Sequence, residues 1–372
     1  MERHSRDDEG RATGGLDPVP NRQGADGRVH RGRGHHFRHR RAFNGGEFGR
    51  ATYAALDLGT NNCRLLIARP SGDGFRVIDA FSRIIRLGEG VSATGRLSDA
   101  AIARAVGALG VCRDKMLNRG VTRARLIATE ACRSAANGAE FLAVIRQHVG
   151  IELEIVDRET EADLAATGCT PLIDPQARGV LLFDIGGGSS ELVSLAQSEP
   201  VKRGPPQPVV RNWVSLPVGV VTLAERHGGV RVDRRLFEAM VAEVAIHVAP
   251  FTAAHGGDLD GVHMLGTSGT VTTIAGIHLR LPRYDRRRVD GCWLSATEIT
   301  RVIDRLIAMT YEERVANACI GTERADLVLA GCAILEAIRR AFPVPRLRVA
   351  DRGLREGILV KLMREDGVWA HT

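Results

Sequence analysis

The feature that most constrains this chain is an apolar run that ends in Asp-x-Gly and occurs twice. Residues 53–58 and 180–185 are apolar except for Asp57 and Asp184, and glycine and small polar residues follow each run. Such runs predict buried strands, and the apolar segments that follow at 64–69 and 191–195 predict that each strand forms a hairpin. Two copies 127 residues apart predict two similar α/β domains.

Both turns can bind a phosphate group. Glycine lets successive backbone N–H groups point at one anion, and small polar side chains add donors. The Asp at the end of each strand can hold a divalent cation that neutralises phosphate charge. A single copy would also fit an ordinary turn, so the repetition carries the prediction. The predicted phosphate-binding residues are Asp57, Gly59, Thr60 and Asn61 in the first turn and Gly186, Gly187, Gly188 and Ser189 in the second.

A third glycine-containing segment, Gly266-Thr267-Ser268-Gly269-Thr270, follows a predicted strand and precedes a predicted helix. A helix N-terminus after a strand is a natural anion site, so Gly266, Thr267 and Ser268 are further phosphate-binding candidates. The segment lacks the Lys of a P-loop and does not match the dinucleotide fingerprint. A tight turn without a ligand is an equally good interpretation.

The rest of the chain alternates helical and strand periodicity. A Pro-rich surface loop is predicted at 200–208. Strands are predicted at 126–129, 151–156, 262–265 and 346–349, and a strand pair at 75–87. Helices are predicted at 98–117, 139–149, 234–251, from 271 to 279, and at 296–309, 324–340 and 354–364, and Ser98 is the predicted N-cap of the first of them.

The N-terminal 50 residues differ from the rest in charge. They contain 11 Arg and 7 acidic residues, so they contribute +4 of the net charge of +7. Their Gly, Arg and His content predicts a disordered basic tail that could attract RNA, although a tail without a specific partner is the favoured interpretation. We therefore expect no nucleic-acid partner for the remaining chain.

The cysteines and the apolar segments indicate the compartment. Seven scattered cysteines, an odd number without a C-x-x-C pair, predict free thiols in a reducing compartment. No apolar run approaches the roughly 20 residues that span a bilayer, and no secretory signal is recognisable. A cytoplasmic protein with no membrane partner is expected.

An acidic stretch between the two hairpins, residues 157–161, follows a predicted strand and opens a predicted helix. Carboxylates in the first turn of a helix stabilise it by interacting with the helix dipole. From the local sequence alone, Glu161 is therefore a structural residue, not distinguishable from Asp157 and Glu159.

The motifs together resemble the exopolyphosphatase / guanosine pentaphosphate phosphohydrolase family, a branch of the actin-like ATPase and sugar kinase superfamily. The similarity runs from about Tyr53 to Met363 and depends on the order of several short segments. These are residues 55–61 (ALDLGTN), 86–90 (RLGEG), 129–137 (TEACRSAAN), 183–192 (FDIGGGSSEL), 266–270 (GTSGT) and 354–357 (LREG).

The resemblance implies an α/β fold of two actin-like (ribonuclease H-like) domains that face a central cleft. The boundaries that we predict are a tail at 1–50, a first domain at 51–157 and a second domain at 158–353. The C-terminal helix, 354–366, would return to the first domain.

The resemblance also implies residue roles. The family's catalytic glutamate opens the helix before the second phosphate turn, and Glu161 matches it, so Glu161 would activate the attacking water. Asp184 and Glu191, with Asp57, would surround Mg²⁺. Arg133 matches an arginine that faces the substrate, and Arg86 would help to bind the phosphate chain.

Three departures from the family pattern could change substrate preference. Thr160 replaces the first glutamate of the catalytic motif, Asp157-Arg158 replaces a commoner Ser-Gly, and Cys63-Arg64 follows the first turn where a small hydroxyl residue is usual. The chain resembles the short, two-domain form of the family.

The predicted function is Mg²⁺-dependent hydrolysis of the terminal phosphoanhydride of inorganic polyphosphate. Removal of the 5′ γ-phosphate from guanosine pentaphosphate, a step of the stringent response, is the alternative within the family. An ATP-dependent small-molecule kinase and a non-catalytic protein that binds polyphosphate or RNA are alternatives of other classes. The resemblance further implies a homodimer.

Overall fold

Both Asp-x-Gly segments end the central strands of mixed β-sheets. The structure is a computed structural model that describes residues 51–197 and 201–370. The predicted basic tail lies outside the described residues. The first apolar run forms β1, Tyr53–Leu58, and the second forms β6, Gly179–Ile185.

The strands form two sheets. The first has the order β3-β2-β1-β4-β5 and the second the order β10-β11-β9-β6-β7-β8. The remaining strands are β2 (Asn62–Ser71), β3 (Gly74–Ile84), β4 (Arg123–Ala128), β5 (Glu154–Ile155), β7 (Ser190–Ala196), β8 (Val209–Leu216), β9 (Val262–Thr267), β10 (Trp293–Ser295) and β11 (Arg346–Ala350).

Helices cover both sheets, and a 3-10 turn, Thr170–Leu172, follows the fifth helix. The helices are α1 (Val91–Thr94), α2 (Asp99–Asn118), α3 (Glu130–Ser134), α4 (Gly138–His148), α5 (Arg158–Cys169), α6 (Val220–His227), α7 (Arg234–His255), α8 (Gly269–His278), α9 (Arg286–Val289), α10 (Ala296–Ala308), α11 (Tyr311–Ala316), α12 (Val328–Ala341) and α13 (Leu354–Glu365).

The two sheets repeat one topology. In the first sheet β1 pairs antiparallel with β2 and parallel with β4. In the second, β6 pairs antiparallel with β7 and parallel with β9. The predicted hairpins and the predicted repetition of the fold are therefore confirmed. We call β1–β5 with α1–α4 lobe I, and β6–β11 with α6–α12 lobe II.

Several elements differ from the sequence predictions. The predicted strand pair at 75–87 is instead one strand, β3, which ends at Ile84, and only Glu154–Ile155 of the predicted strand 151–156 pairs in the sheet. The last long helix of lobe II begins at Val328 instead of residue 324, because residues 322–327 form turns. Local sequence patterns do not predict β8, α6 or α11. By contrast, Ser98 caps α2 as predicted, since its Oγ accepts from Ala101 N at 3.2 Å.

Three clusters of buried side chains stabilise the fold. One lies within lobe I, one within lobe II, and one combines residues of both sheets with α5 and α13. Helix α13 packs on α5 and on β1, β2 and β4. The C-terminal helix therefore returns to lobe I in space, while the domain boundary at 157/158 stays a prediction.

Helix α7 bears on the membrane prediction. By length and composition it could cross a bilayer, with 22 residues and a mean hydropathy of 1.4 in its most apolar window. The prediction that no segment approaches this length was therefore wrong. One such helix is weak support for a membrane protein, because Phe237, Val244, Phe251 and other side chains on one face of α7 are buried in the core of lobe II against α12.

The seven cysteines are free thiols, as predicted, and six of them are buried. The Sγ atoms of Cys63 and Cys112 are 3.9 Å apart, well beyond the length of a disulfide bond.

Where α5 crosses α13, the backbones approach so closely that only glycine fits. A Cβ on Gly168 would overlap the carbonyl oxygen of Gly353 and lie 2.9 Å from the Gly357 backbone nitrogen. We expect Gly168→Ala to lower the free energy of unfolding by roughly 1–3 kcal/mol, because backbone atoms must move apart. Urea unfolding measures the change.

The control is Gly107→Ala in α2, where a Cβ would meet nothing within 4 Å. There we expect a gain of up to about 1 kcal/mol from helix propensity. Equal stability of the two variants would contradict the close-approach argument.

Candidate active site

The two Asp-x-Gly turns meet across a cleft between the lobes. A Cβ on Gly187 would lie 2.8 Å from Thr60 Cβ and 3.2 Å from the Asn61 backbone nitrogen. The second turn therefore contacts the first through its bare backbone. The cleft holds about 930 Å³ of empty space, part of it open to solvent.

Most of the predicted site residues line this cleft. They are Asp57, Gly59, Thr60, Asn61, Glu161, Asp184, Gly186, Gly187, Gly188, Ser189, Glu191 and Ser268. Residues from both turns, from the start of α5 and from the turn before α8 thus surround one space, although they are far apart in sequence.

Each acidic side chain reaches the cleft from a different element. Asp57 and Asp184 stand at the ends of β1 and β6, and Glu191 pairs with Asp184 across the β6–β7 hairpin. Glu161 lies one turn into α5, a helix capped by Asp157, whose Oδ1 accepts from Thr160 N at 2.7 Å. A local N-cap therefore fixes where Glu161 stands.

Burial of these carboxyl groups raises their pKa values. Burial is the largest cause for Glu161 and raises its pKa to about 9, and the charge of Glu191 adds to the effect while Arg133 opposes it. Burial and then the charge of Asp184 raise the pKa of Glu191 to about 7. The pKa of Asp184 is raised to about 6 by burial, against the opposing charge of Arg64. Perturbed carboxyls in a cleft are typical of a functional site.

Two asparagine oxygens in the cleft lack a partner. Asn61 Oδ1 and Asn62 Oδ1 are buried and accept no hydrogen bond from any described residue. Buried polar atoms are almost always hydrogen-bonded, so these two indicate a ligand or ordered water in the cleft.

The backbone of the third glycine-containing segment is strained at Ser268. Its φ of 119° lies in a region that side chains rarely adopt, and its Oγ accepts from Thr270 N at 3.3 Å at the start of α8. Ser268 lines the cleft, Thr267 lines an adjoining cavity, and Gly266 lies among neither set of lining residues. A Cβ on Gly266 would lie 2.6 Å from the Phe183 ring, which gives that glycine a packing role.

The two predicted arginines pair with carboxylates. Arg133 Nη1 donates to Glu161 Oε2 at 3.3 Å and Nη2 donates to the same oxygen at 3.2 Å. Arg86 forms a two-bond ion pair with Asp326 of lobe II, at 2.8 and 3.0 Å. Neither arginine lines the cleft, so the substrate contacts assigned to them stay predictions.

The predicted metal ligands are not assembled into a cage. No group of three or more His, Cys, Asp or Glu side chains between residues 51 and 370, leaving out 198–200, could hold a metal ion. Glu191 Oε1 instead accepts from Ser189 Oγ and Ser215 Oγ, both at 2.8 Å. The assignment of Asp57, Asp184 and Glu191 to a metal stays a prediction.

Sequence reasoning missed three charged residues of the cleft: Arg64, Glu130 and Arg324. Arg64 pairs with Asp57 across the β1–β2 hairpin, so the hairpin register could have identified it. Glu130 and Arg324 reach the cleft through the tertiary fold, and no local pattern identifies them.

The raised pKa values predict how stability depends on pH without divalent cations. The folded carboxyls of Asp184 and Glu191 keep protons that the unfolded chain has already released, so these two groups should make the free energy of unfolding fall from about pH 4 to about pH 7. Asp184→Asn should make this slope shallower. At about pH 8 it should be more stable than the parent protein by roughly 1–3 kcal/mol.

Urea unfolding with a chelator measures the slope. The control is Glu140→Gln, which alters a carboxylate whose side chain is 75% exposed. A parent protein with no slope, or an unchanged slope in Asp184→Asn, would contradict the prediction.

Comparisons with known proteins agree with this architecture. Residues 66–366 match the model of the Ppx/GppA phosphatase family. A protein named Exopolyphosphatase 2 from Mycobacterium tuberculosis is 30% identical over 330 residues, which cover 83% of this chain and 98% of that protein.

Two solved structures have the same fold. A Ppx/GppA family member from Aquifex aeolicus matches with a TM-score of 0.70 and 28% identity, over 87% of this chain and 99% of that one. An exopolyphosphatase from Cytophaga hutchinsonii matches with a TM-score of 0.76 and 24% identity, over 84% and 98%. The predicted fold class is confirmed, and the chain belongs to the Ppx/GppA phosphatase family.

Proposed function

We propose that the chain is an exopolyphosphatase, which hydrolyses the terminal phosphoanhydride bond of inorganic polyphosphate and releases phosphate. The observation that carries this proposal is the buried carboxylate of Glu161, in a cleft that both glycine turns line. The name of the 30% identical relative from M. tuberculosis supports the same reaction.

Glu161 is the proposed base. Both bonds from Arg133 go to Oε2, and no described residue donates to Oε1, so Oε1 is the oxygen available to a water molecule. A carboxylate that holds a water in line with the phosphoryl group can accept its proton during attack. Backbone N–H groups of the two turns would stabilise the charge on the transferred phosphoryl group.

The side chains that line the cleft offer oxygen ligands suitable for Mg²⁺. Carboxylate and amide oxygens are the ligands that Mg²⁺ prefers, and it commonly binds through one or two carboxylates while keeping several waters. Asp57, Asp184 and Glu191 are the proposed carboxylates, and the oxygens of Asn61 and Asn62 could accept from its waters. The ion would supply neutralisation of phosphate charge.

A second cavity favours a long polyanion as substrate. It holds about 1720 Å³ and shares Asp57, Arg64, Asp184 and Arg324 with the cleft. Guanidinium groups pair well with phosphate oxygens, so this wall suits a chain of phosphates. Its arginines are Arg64, Arg83, Arg286, Arg324, Arg352 and Arg355.

Guanosine pentaphosphate is the second candidate substrate. Tyr284 lines the same cavity and offers an aromatic surface to a base, although its hydroxyl donates to Asp351 at 2.7 Å. A homodimer and a cytoplasmic location, both implied at the sequence level, complete the proposal.

The role of Glu161 is tested by Glu161→Gln. We expect phosphate release from polyphosphate to fall by at least roughly 100-fold in kcat, because the amide cannot accept a proton. Glu159→Gln is the matched control, since Glu159 is an exposed carboxylate in the same helical turn. Assays of polyphosphate and guanosine pentaphosphate side by side decide the substrate, and normal turnover by Glu161→Gln would overturn the mechanism.

The role of the cation is tested by the pH dependence of kcat/KM at high and low Mg²⁺. Asp57 and Asp184 raise the pKa of Glu161, so a cation near them should lower it. Because only the ionised glutamate accepts a proton, less Mg²⁺ should move the acid limb to higher pH. Full activity with a chelator would contradict the proposal.

A further inference from the structure

Glu130 is a cleft residue that the proposed mechanism does not use. It is the first residue of α3 and lies opposite the second phosphate turn, with its Cγ 3.0 Å from where a Cβ on Gly188 would stand. Its side chain is 15% exposed. A carboxylate that close to a phosphate turn should repel the substrate unless cations neutralise it.

Two arginines neutralise Glu130. Arg133 donates from Nε to Glu130 Oε2 at 3.1 Å and also from Nη2 to the same oxygen. Arg158 donates from Nη2 to Glu130 Oε1 at 3.1 Å. Charge-assisted bonds of this kind are among the stronger hydrogen bonds in proteins.

Both arginines connect Glu130 to Glu161, the proposed base, or to the helix that carries it. Arg133 also donates to Glu161 Oε2 and to the carbonyl oxygen of Val156 at 2.6 Å, just before α5. Arg158 is the first residue of α5, three positions before Glu161. Glu130 therefore holds both the side chain that contacts Glu161 and the start of the helix that carries it.

We infer that Glu130 is a positioning residue for Glu161, an inference that rests on the proposed function. By holding Arg133 against Glu161 Oε2 and anchoring α5 through Arg158, it orients Glu161 Oε1 toward the attacking water. The bonds of Arg158 to Glu130 also give a structural purpose to Asp157-Arg158, the departure noted in the sequence.

The test is Glu130→Gln, which keeps the shape of the side chain. Misplacement of a catalytic group by about 1 Å can cost roughly 100-fold, so we expect kcat on polyphosphate to fall roughly 10- to 100-fold while KM changes less than about twofold. A change confined to KM would mean that Glu130 acts on substrate binding and would overturn the inference.

The matched control is Glu154→Gln. Glu154 forms a two-bond ion pair with Arg125 between β5 and β4, at 3.0 and 3.1 Å, and lies outside the cleft. Glu154→Gln should keep the kcat of the parent protein. If Glu130→Gln also keeps the parent kcat, the inference fails. If the unaltered protein releases no phosphate from polyphosphate, the proposed function fails instead.

A double-mutant cycle separates positioning from a general loss of structure. Glu130 acts partly through Arg133, so Glu130→Gln should cost less kcat in an Arg133→Gln background than in the parent protein. If the kcat loss of the double variant equals the product of the losses of the two single variants, the two residues act independently and the inference is overturned.

Arg158→Gln is a second variant. It should disturb folding less than Glu130→Gln does, because the Arg158 side chain is 45% exposed. It removes only the link to the helix, so kcat should fall by roughly 3- to 10-fold with KM unchanged. If Arg158→Gln has the same kcat as Glu154→Gln, the bond between Arg158 and Glu130 does not help to position Glu161.

Discussion

The active site depends on the backbone contact between the two phosphate turns. Gly187 lies against Thr60 and Asn61 with no room for a side chain, so the turn after β6 can lie directly against the turn after β1. This contact brings Asp57 and Asp184, from different sheets, to one cleft. Glycines permit a close backbone approach in the same way where α5 crosses α13.

The close approach has an electrostatic cost. Five carboxyl groups of the described residues line the cleft, and the pKa values of four of them, Asp57, Glu161, Asp184 and Glu191, are raised, chiefly by burial. A structure selected only for stability would pair or remove these charges. The protein keeps them where a cation and a phosphate group would meet, as expected of a site that trades stability for function.

Local sequence patterns predicted much of the fold, and the failures have physical causes. The hairpins and α2 were recognisable because apolar periodicity and the Ser98 cap are local signals. Strand β8 was missed because it is an edge strand with exposed Val209, Val210 and Trp213, so it lacks the pattern of a buried strand. Helix α6 begins at Val220 and is preceded by the N-cap Gly219, where packing on Gly187 permits no side chain. This tertiary requirement leaves no periodic pattern in the sequence.

The sequence by itself determined the two Asp-x-Gly turns and their repetition, because strand periodicity and glycine turns are encoded within a few residues. It also gave Glu161, but only through resemblance to a family. The tertiary structure alone decided the charge network: Arg86 pairs with Asp326 across the lobes, and Arg133 lies between Glu130 and Glu161. Such pairs form between residues that folding brings together. Because charges interact through space, the pairs have no characteristic separation in the sequence by which they could be recognised.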